Sequence, residues 1–241
     1  MQREKEITIG PNERVDDLDL NGLKVVQNPD YFCFGIDAVL LANYARFPQG
    51  ANVAEFCAGN AVVSILLTAK QKPRKILAME FQPELVALAE KSIRISGVSE
   101  IVEVVHDDIL HAERYIKPKS LDAIVINPPY VRKGAGLACG NLQRSLARQE
   151  STVGPEEIFE LAARLLKTGG ELFMVNRPDR LVDIFVAARK YGVEPRELTM
   201  VQPSPCKAPN ICLIRCKKRA GMDLKMLPPI HVYDEDGNYN Y

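Results

Sequence analysis

Residues 52–80 read NVAEFCAGNAVVSILLTAKQKPRKILAME, and the fold class turns on how that stretch is divided. Residues 52–56 form a short apolar run that stops at a turn of small residues, Cys57-Ala58-Gly59-Asn60-Ala61. Residues 60–70 then stay mostly apolar over a helical length. After a break at Pro73, residues 75–80 make a second short apolar run that ends on the carboxylate of Glu80. Strand, helix and strand within about 30 residues is a βαβ unit. Such a unit requires parallel strands and a right-handed crossover.

The same alternation continues downstream. Pro83 suits a helix start, and Leu85, Leu88, Ala89, Ser92 and Ile93 form one face up to Gly97. Strands are expected over 101–105 and 121–126. Pro155 opens a helix to about Lys167 that Gly169-Gly170 should stop. A strand over 171–175, a helix over 179–191 ended by Gly192, and a closing strand pair at 198–202 and 210–215 complete the pattern. The expectation is an α/β fold: a doubly wound, mainly parallel seven-stranded sheet with helices on both faces. Upstream, residues 1–13 are polar and mixed in charge, a loose start. Short strands are expected over 23–27 and 31–34, and Gly35 opens a helical stretch over 36–42. Pro48-Gln49-Gly50 breaks the chain. This divides it into a strand/helix extension (1–50) packed on a catalytic domain (51–241). Residues 131–154 are polar, dotted with glycine and without period, as functional or disordered loops are.

Composition narrows the classes. A length of 241 residues suits one domain of the larger α/β type, or one domain with an appendage. A formal net charge of zero gives no global field for nucleic acid, so any such partner must be held by a local patch. Six cysteines without a Cys-x-x-Cys pair carry no zinc signature and point to reduced thiols. With no signal peptide and no apolar run of membrane length, the expected setting is the cytoplasm, with no membrane and no metal.

Asn127-Pro128-Pro129-Tyr130 follows the strand at 121–126. Asn127 offers a side-chain carbonyl acceptor, and the two prolines fix the backbone while leaving carbonyls that can accept. Tyr130 adds a flat face for stacking. Together they form a cradle for a planar amino group. The tetrapeptide arises by chance in about one chain in a thousand of this length, so a plain turn is the weaker reading.

In open parallel sheets, ligands bind beyond the carboxyl ends of the strands. Those ends carry Glu55 with the small-residue turn, then Glu80-Phe81, Asp107-Asp108 and Asn127. This order resembles the class I S-adenosylmethionine-dependent methyltransferases, whose first strand ends on an acid followed by G-x-G-x-G. Here the turn keeps only Gly59; Cys57 and Ala61 replace the outer glycines, and Glu55 stands where many relatives have Asp. The resemblance implies a pocket for S-adenosyl-L-methionine made by Glu55, Cys57, Ala58 and Gly59, with Phe81 and Asn127. Glu80 would grip ribose hydroxyls, as a carboxylate ending the second strand does. Asp107 or Asp108, with Asp108 favoured, would accept from the adenine amino group. A nicotinamide-dependent dehydrogenase would need an intact G-x-G-x-x-G and has no use for the cradle.

Asn-Pro-Pro-Tyr is similar to the signature of enzymes that methylate a planar nitrogen, either adenine N6 or a glutamine amide. Such a nitrogen has a delocalised lone pair. Acceptors at Asn127 and Pro128 would draw its two hydrogens toward the pyramidal geometry of the transition state. The flanking thirds resemble the bacterial tRNA adenine-37 N6-methyltransferases that act on a valine tRNA. The matches are Asp16-Asp17-Leu18, Gly22 to Gln27, Phe34 to Ala42, Ala147 to Glu150 and Val232 to Tyr239. Phe34 and Asp37 would then line the cofactor pocket. The implied partner is tRNA, bound by a monomer. Arg132, Lys133, Arg144 and Arg148 in the long loop, with Arg177 and Arg180 after the fifth strand, are the expected RNA contacts. Lys217-Lys218-Arg219 is a second basic cluster. Two alternatives stand beside this reading. One is a protein glutamine N5-methyltransferase using the same cradle, and the other is a catalytically silent RNA-binding module with an eroded glycine turn.

Overall fold

A computed structural model describes residues 7–129 and 153–240. Its centre is the predicted sheet. The strands are β3 (Asn52–Phe56), β4 (Lys75–Glu80), β5 (Val102–His106), β6 (Leu121–Ile126), β7 (Leu166–Asn176), β8 (Val193–Gln202) and β9 (Ile211–Lys218). Their order across the sheet is β5-β4-β3-β6-β7-β9-β8. All neighbours are parallel except β9, which runs antiparallel to both β7 and β8. Two further strands of two residues each, β10 (Lys225–Met226) and β11 (Ile230–His231), add in parallel to β8.

Side-chain alternation divides the core in two, because successive strand residues face opposite sides. Val53, Ala123, Val125, Phe173 and Val175 pack beneath α1 (Ile36–Tyr44), α2 (Val62–Gln71) and part of α3 (Pro83–Ile95). Ala54, Phe56, Ile124, Ile126 and Met174 pack beneath α4 (Pro155–Leu165), α5 (Leu181–Lys190) and a short 3-10 helix, Ile109–Arg114. Val53, Ala54, Phe56 and the whole of Ala123–Ile126 are at most 2% exposed, as continuous apolar runs in a parallel sheet require.

The N-terminal segment differs from its sequence reading. Arg14–Asp17 forms a strand, β1, that pairs antiparallel with β2 (Lys24–Gln27). The hairpin is clipped to the last turns of α3 through Ser92, on the face that helix buries, and Ser96, its C-cap. Val26 N–H donates to Ser92 Oγ at 2.9 Å, and Lys24 N–H donates to Ser96 Oγ at 3.0 Å. Residues 31–34 form no strand; Tyr31 N–H closes a turn onto the Asn28 carbonyl at 3.0 Å, and Phe34 N–H donates to the side chain of the buried Gln27 at 3.1 Å. Gly169-Gly170 does not stop a helix either. The α4 helix ends at Leu165, and both glycines lie inside β7, where the register against β6 shifts between Leu121 and Ala123. A Cβ on Gly170 would lie 3.0 Å from the Lys167 carbonyl and 3.1 Å from that of Leu121. Close backbone approach, not helix termination, explains that glycine.

Candidate active site

A cavity of about 630 Å³ opens beyond the carboxyl ends of β3, β4 and β6. Its first wall is the turn after β3. Cys57, Gly59 and Ala61 have φ of 57°, 56° and 63°, so all three positions of the glycine pattern are left-handed. Glycine adopts that conformation without cost, whereas an L-residue pays roughly 1–2 kcal/mol. Cys57 and Ala61 therefore hold the turn's shape under strain. The turn is pinned from below by two bonds. Ala58 N–H donates to the Met79 carbonyl at 3.0 Å, and Gly59 N–H donates to Glu80 Oε2 at 2.8 Å.

Glu80 is 5% exposed. Its other oxygen accepts from the N–H groups of Phe81 and Gln82, each at 3.0 Å, so the carboxylate organises both the glycine turn and the entry into α3. Burial raises its pKa, while these backbone donors oppose the rise. Glu55, also buried, accepts from Ser64 N–H at 2.8 Å and from the Ser64 hydroxyl. Burial dominates there and lifts its pKa to about 8. The Cys57 thiol is pushed up by burial and then by the charges of Glu80 and Asp108, so it lines the cavity as a small apolar group, not as a thiolate.

The second wall comes from β6. Asn127, Pro128 and Pro129 all face the cavity. Asn127 Nδ2 donates to Asp37 Oδ2 at 3.1 Å, across ninety positions of sequence. Asp37 lies in the first turn of α1, and Phe34 lines the cavity just before it.

The structure brings Phe34, Asp37, Glu55, Cys57, Ala58 and Gly59 to one cavity with Glu80, Phe81, Asp108 and the Asn127-Pro128-Pro129 run. Arg177 reaches the same rim. Asp108 is there with one oxygen accepting from Leu110 N–H at 2.9 Å. Asp107 does not join them. Its carboxylate bonds outward to His111 Nδ1 at 2.8 Å and Tyr115 Oη at 2.9 Å, and the His111 bond comes first among the causes holding its pKa down to about 2. The cluster Lys217-Lys218-Arg219 ends the antiparallel strand β9, so it lies at the opposite edge of the sheet. Lys218 is buried and donates to the Leu166 carbonyl at 2.6 Å. Tyr130, Arg132, Lys133, Arg144 and Arg148 lie outside the described residues.

One residue escaped the sequence reading. Asn60 is 4% exposed, lines the cavity, and its Nδ2 has no hydrogen-bond partner among the described residues. A buried amide donor without a partner costs free energy unless a ligand supplies the acceptor. Its position inside the small-residue turn was visible; its burial was not.

This sheet order, with a cavity beyond the carboxyl ends of its parallel strands, is that of a Rossmann-like methyltransferase fold. The sequence profile of the methyltransferase small domain family matches residues 23–182, and the chain belongs to that family. Among curated relatives, it is 28% identical over 182 residues to the tRNA1(Val) (adenine(37)-N6)-methyltransferase of Porphyromonas gingivalis, covering 73% of this chain and 71% of that protein. It is 29% identical over 181 residues to the Bacteroides thetaiotaomicron protein of the same name, covering 75% and 74%. Among solved structures, a predicted O-methyltransferase from Agrobacterium tumefaciens superposes with a TM-score of 0.66 at 19% identity, over 84% of this chain and 90% of that one. The geranyl diphosphate C-methyltransferase of Streptomyces coelicolor, solved with S-adenosyl-L-homocysteine, gives 0.56 at 11% identity over 76% and 80%. These structures share the fold.

Proposed function

We propose that this chain transfers a methyl group from S-adenosyl-L-methionine to the exocyclic N6 of an adenine in tRNA, adenosine 37 of a valine tRNA. The observation that carries the reading is the meeting, in one cavity, of Asn127-Pro128 with the Glu80, Asn60 and Asp108 side chains. The bound cofactor supplies an electrophilic methyl on a sulfonium. Glu80 would hold its ribose hydroxyls through the lone-pair capacity that the backbone donors leave. Asn60 would offer its Nδ2 donor to a cofactor acceptor, and Asp108 would accept from the adenine amino group. Phe34 and Phe81 flank the pocket.

On the acceptor side, the Asn127 side-chain oxygen and the Pro128 carbonyl take the two hydrogens of the amine. This favours the developing ammonium over the flat ground state. The ammonium proton then passes to solvent, and no separate base is required. Tyr130 would stack on the adenine, a contact worth about 1–3 kcal/mol for a base. Arg177 at the rim, with Arg132, Lys133, Arg144 and Arg148 of the long loop, would bear on phosphates. The segment before residue 51 serves the same cavity: Gln27 holds the backbone of Phe34, and α1 carries Asp37.

The names of the curated relatives favour tRNA over the glutamine of a protein substrate. Transfer of tritiated methyl to total tRNA, followed by nucleoside analysis and mapping, tests the proposal. N6-methyladenosine at position 37 is the expected product. Methylation of a release-factor glutamine in place of tRNA would replace this reading with the protein-methylating one. Failure to bind S-adenosylhomocysteine in calorimetry would remove both.

A further inference from the structure

We infer that Asp37 is a positioning residue for methyl transfer, holding the Asn127 amide so that its oxygen faces the acceptor amine. The inference rests on the amine-methylating reading of the cavity. A primary amide presents two unlike edges, an acceptor oxygen and a donor NH2, and the terminal torsion that exchanges them is soft. With the wrong edge forward, the NH2 of Asn127 would meet the NH2 of the acceptor, donor against donor. Prolines fix the backbone after Asn127 but leave that torsion undecided. A carboxylate decides it, because a carboxylate accepts and so selects the NH2 edge. Asn127 Nδ2 donates to Asp37 Oδ2 at 3.1 Å, and both side chains line the cavity. Donation to a carboxylate also draws electron density onto the amide oxygen, strengthening it as an acceptor.

Asp37 is itself held in place. Its second oxygen accepts from Ala38 N–H at 3.0 Å. The residue before α1 is Gly35, with φ −116° and ψ −174°, a conformation open to any residue. Backbone freedom therefore does not call for glycine there. Space does: a Cβ at Gly35 would lie 3.0 Å from Asp37 Oδ1. The motif Phe34-Gly35-Ile36-Asp37 thus leaves room for a carboxylate that reaches a strand ninety residues away. Asp37 is more than a wall of the cofactor pocket.

The test uses the full chain and three variants, D37A, D37N and G35A. Single-turnover methyl transfer to tRNA is measured beside calorimetric binding of S-adenosylhomocysteine and thermal unfolding. D37A should slow transfer about 100-fold, the scale of a misplaced reacting group. The slowing should persist at saturating S-adenosyl-L-methionine, so that the loss falls on the chemical step whatever the accompanying change in S-adenosylhomocysteine Kd. D37N keeps an oxygen that can accept from Asn127 Nδ2 and should recover the rate to within about tenfold of wild type. G35A, which crowds the carboxylate without straining the backbone, should fall between them with an unchanged unfolding temperature. The side-chain NH2 resonances of Asn127 should shift in D37A and return toward wild type in D37N. An unchanged rate in D37A, or a loss confined to S-adenosylhomocysteine affinity, overturns the inference. If the wild type methylates a glutamine amide and not tRNA, the tRNA reading fails. The same loss of rate on that acceptor still supports Asp37.

Discussion

The two walls of the cavity are built on opposite principles. The wall after β3 and β4 is costly: two non-glycine residues are left-handed, Cys57 and Ala61, and two buried carboxylates have raised pKa values, Glu55 and Glu80. The wall after β6 is inexpensive. Two prolines stiffen it, Asn127 is only half-buried, and its amide has a carboxylate partner. The difference teaches where each kind of damage will register. Changes in the first wall should move stability and cofactor affinity together, whereas changes in the second should move the rate and little else.

Asn127→Ala is the sharpest test of that contrast. Loss of a transition-state acceptor should cut turnover by about 1000-fold while S-adenosylhomocysteine binding stays largely intact; near-normal turnover would mean the chemistry is wrongly placed. Glu80→Ala is the counterpart on the other wall. It leaves the Gly59, Phe81 and Gln82 N–H groups without their acceptor. It should weaken cofactor binding and also lower stability by about 2 kcal/mol or more. Glu80→Gln, which retains an acceptor, should spare most of the stability and isolate the affinity loss. A Glu80→Ala variant with wild-type affinity would take Glu80 out of the pocket.

A smaller effect should follow pH. Glu55 has a folded pKa of about 8, above that of an unfolded glutamate at about 4.3. Its stabilising contribution is therefore complete below the unfolded value and declines as pH rises, ending above the folded one. Between these limits the protein without cofactor should lose up to about 1.4 kcal/mol of stability per pH unit from this group. Glu55→Gln should flatten that slope in denaturant titrations run from pH 5 to 8, and a slope identical to wild type would contradict the assignment. Smallest of all is Cys57→Gly. Relief of left-handed strain opposes the added freedom of the unfolded chain, so stability should change by less than about 1 kcal/mol. A fall in Tm beyond about 4 °C would show that the Cys57 side chain contributes packing that outweighs its strain.

Much of this site was legible because it follows strand ends. Glu55, Glu80, Asp108 and Asn127 each close or follow an apolar run, and parallel sheets gather such positions at one edge. The choice between Asp107 and Asp108 rested on position alone, and the structure brings Asp108 to the cavity while His111 and Tyr115 hold Asp107 outside it. The segment 31–34 looked like a strand because it is aromatic and apolar. Its partner is the side chain of Gln27 and not a neighbouring strand, and no local pattern reveals such a bond. Gly169-Gly170 carried the signal of a helix end, yet served the approach of β7 to β6. Nothing local marks out Asn60 within its turn, because a sequence does not show which amide folding leaves buried without a partner among the described residues.

By itself the sequence determined the strand–helix alternation, the order of the carboxylates and the Asn-Pro-Pro-Tyr cradle, since periodicity and turn chemistry are local. Tertiary structure alone decided that the first fifty residues and the fourth parallel strand build one site. Asp37 and Asn127 meet only once α1 has been laid over the sheet. The turn at Cys57-Ala61 resembled an eroded glycine motif in the sequence. Folded, it retains the left-handed geometry that glycine would have taken without strain, because Met79 and Glu80 hold its backbone from below.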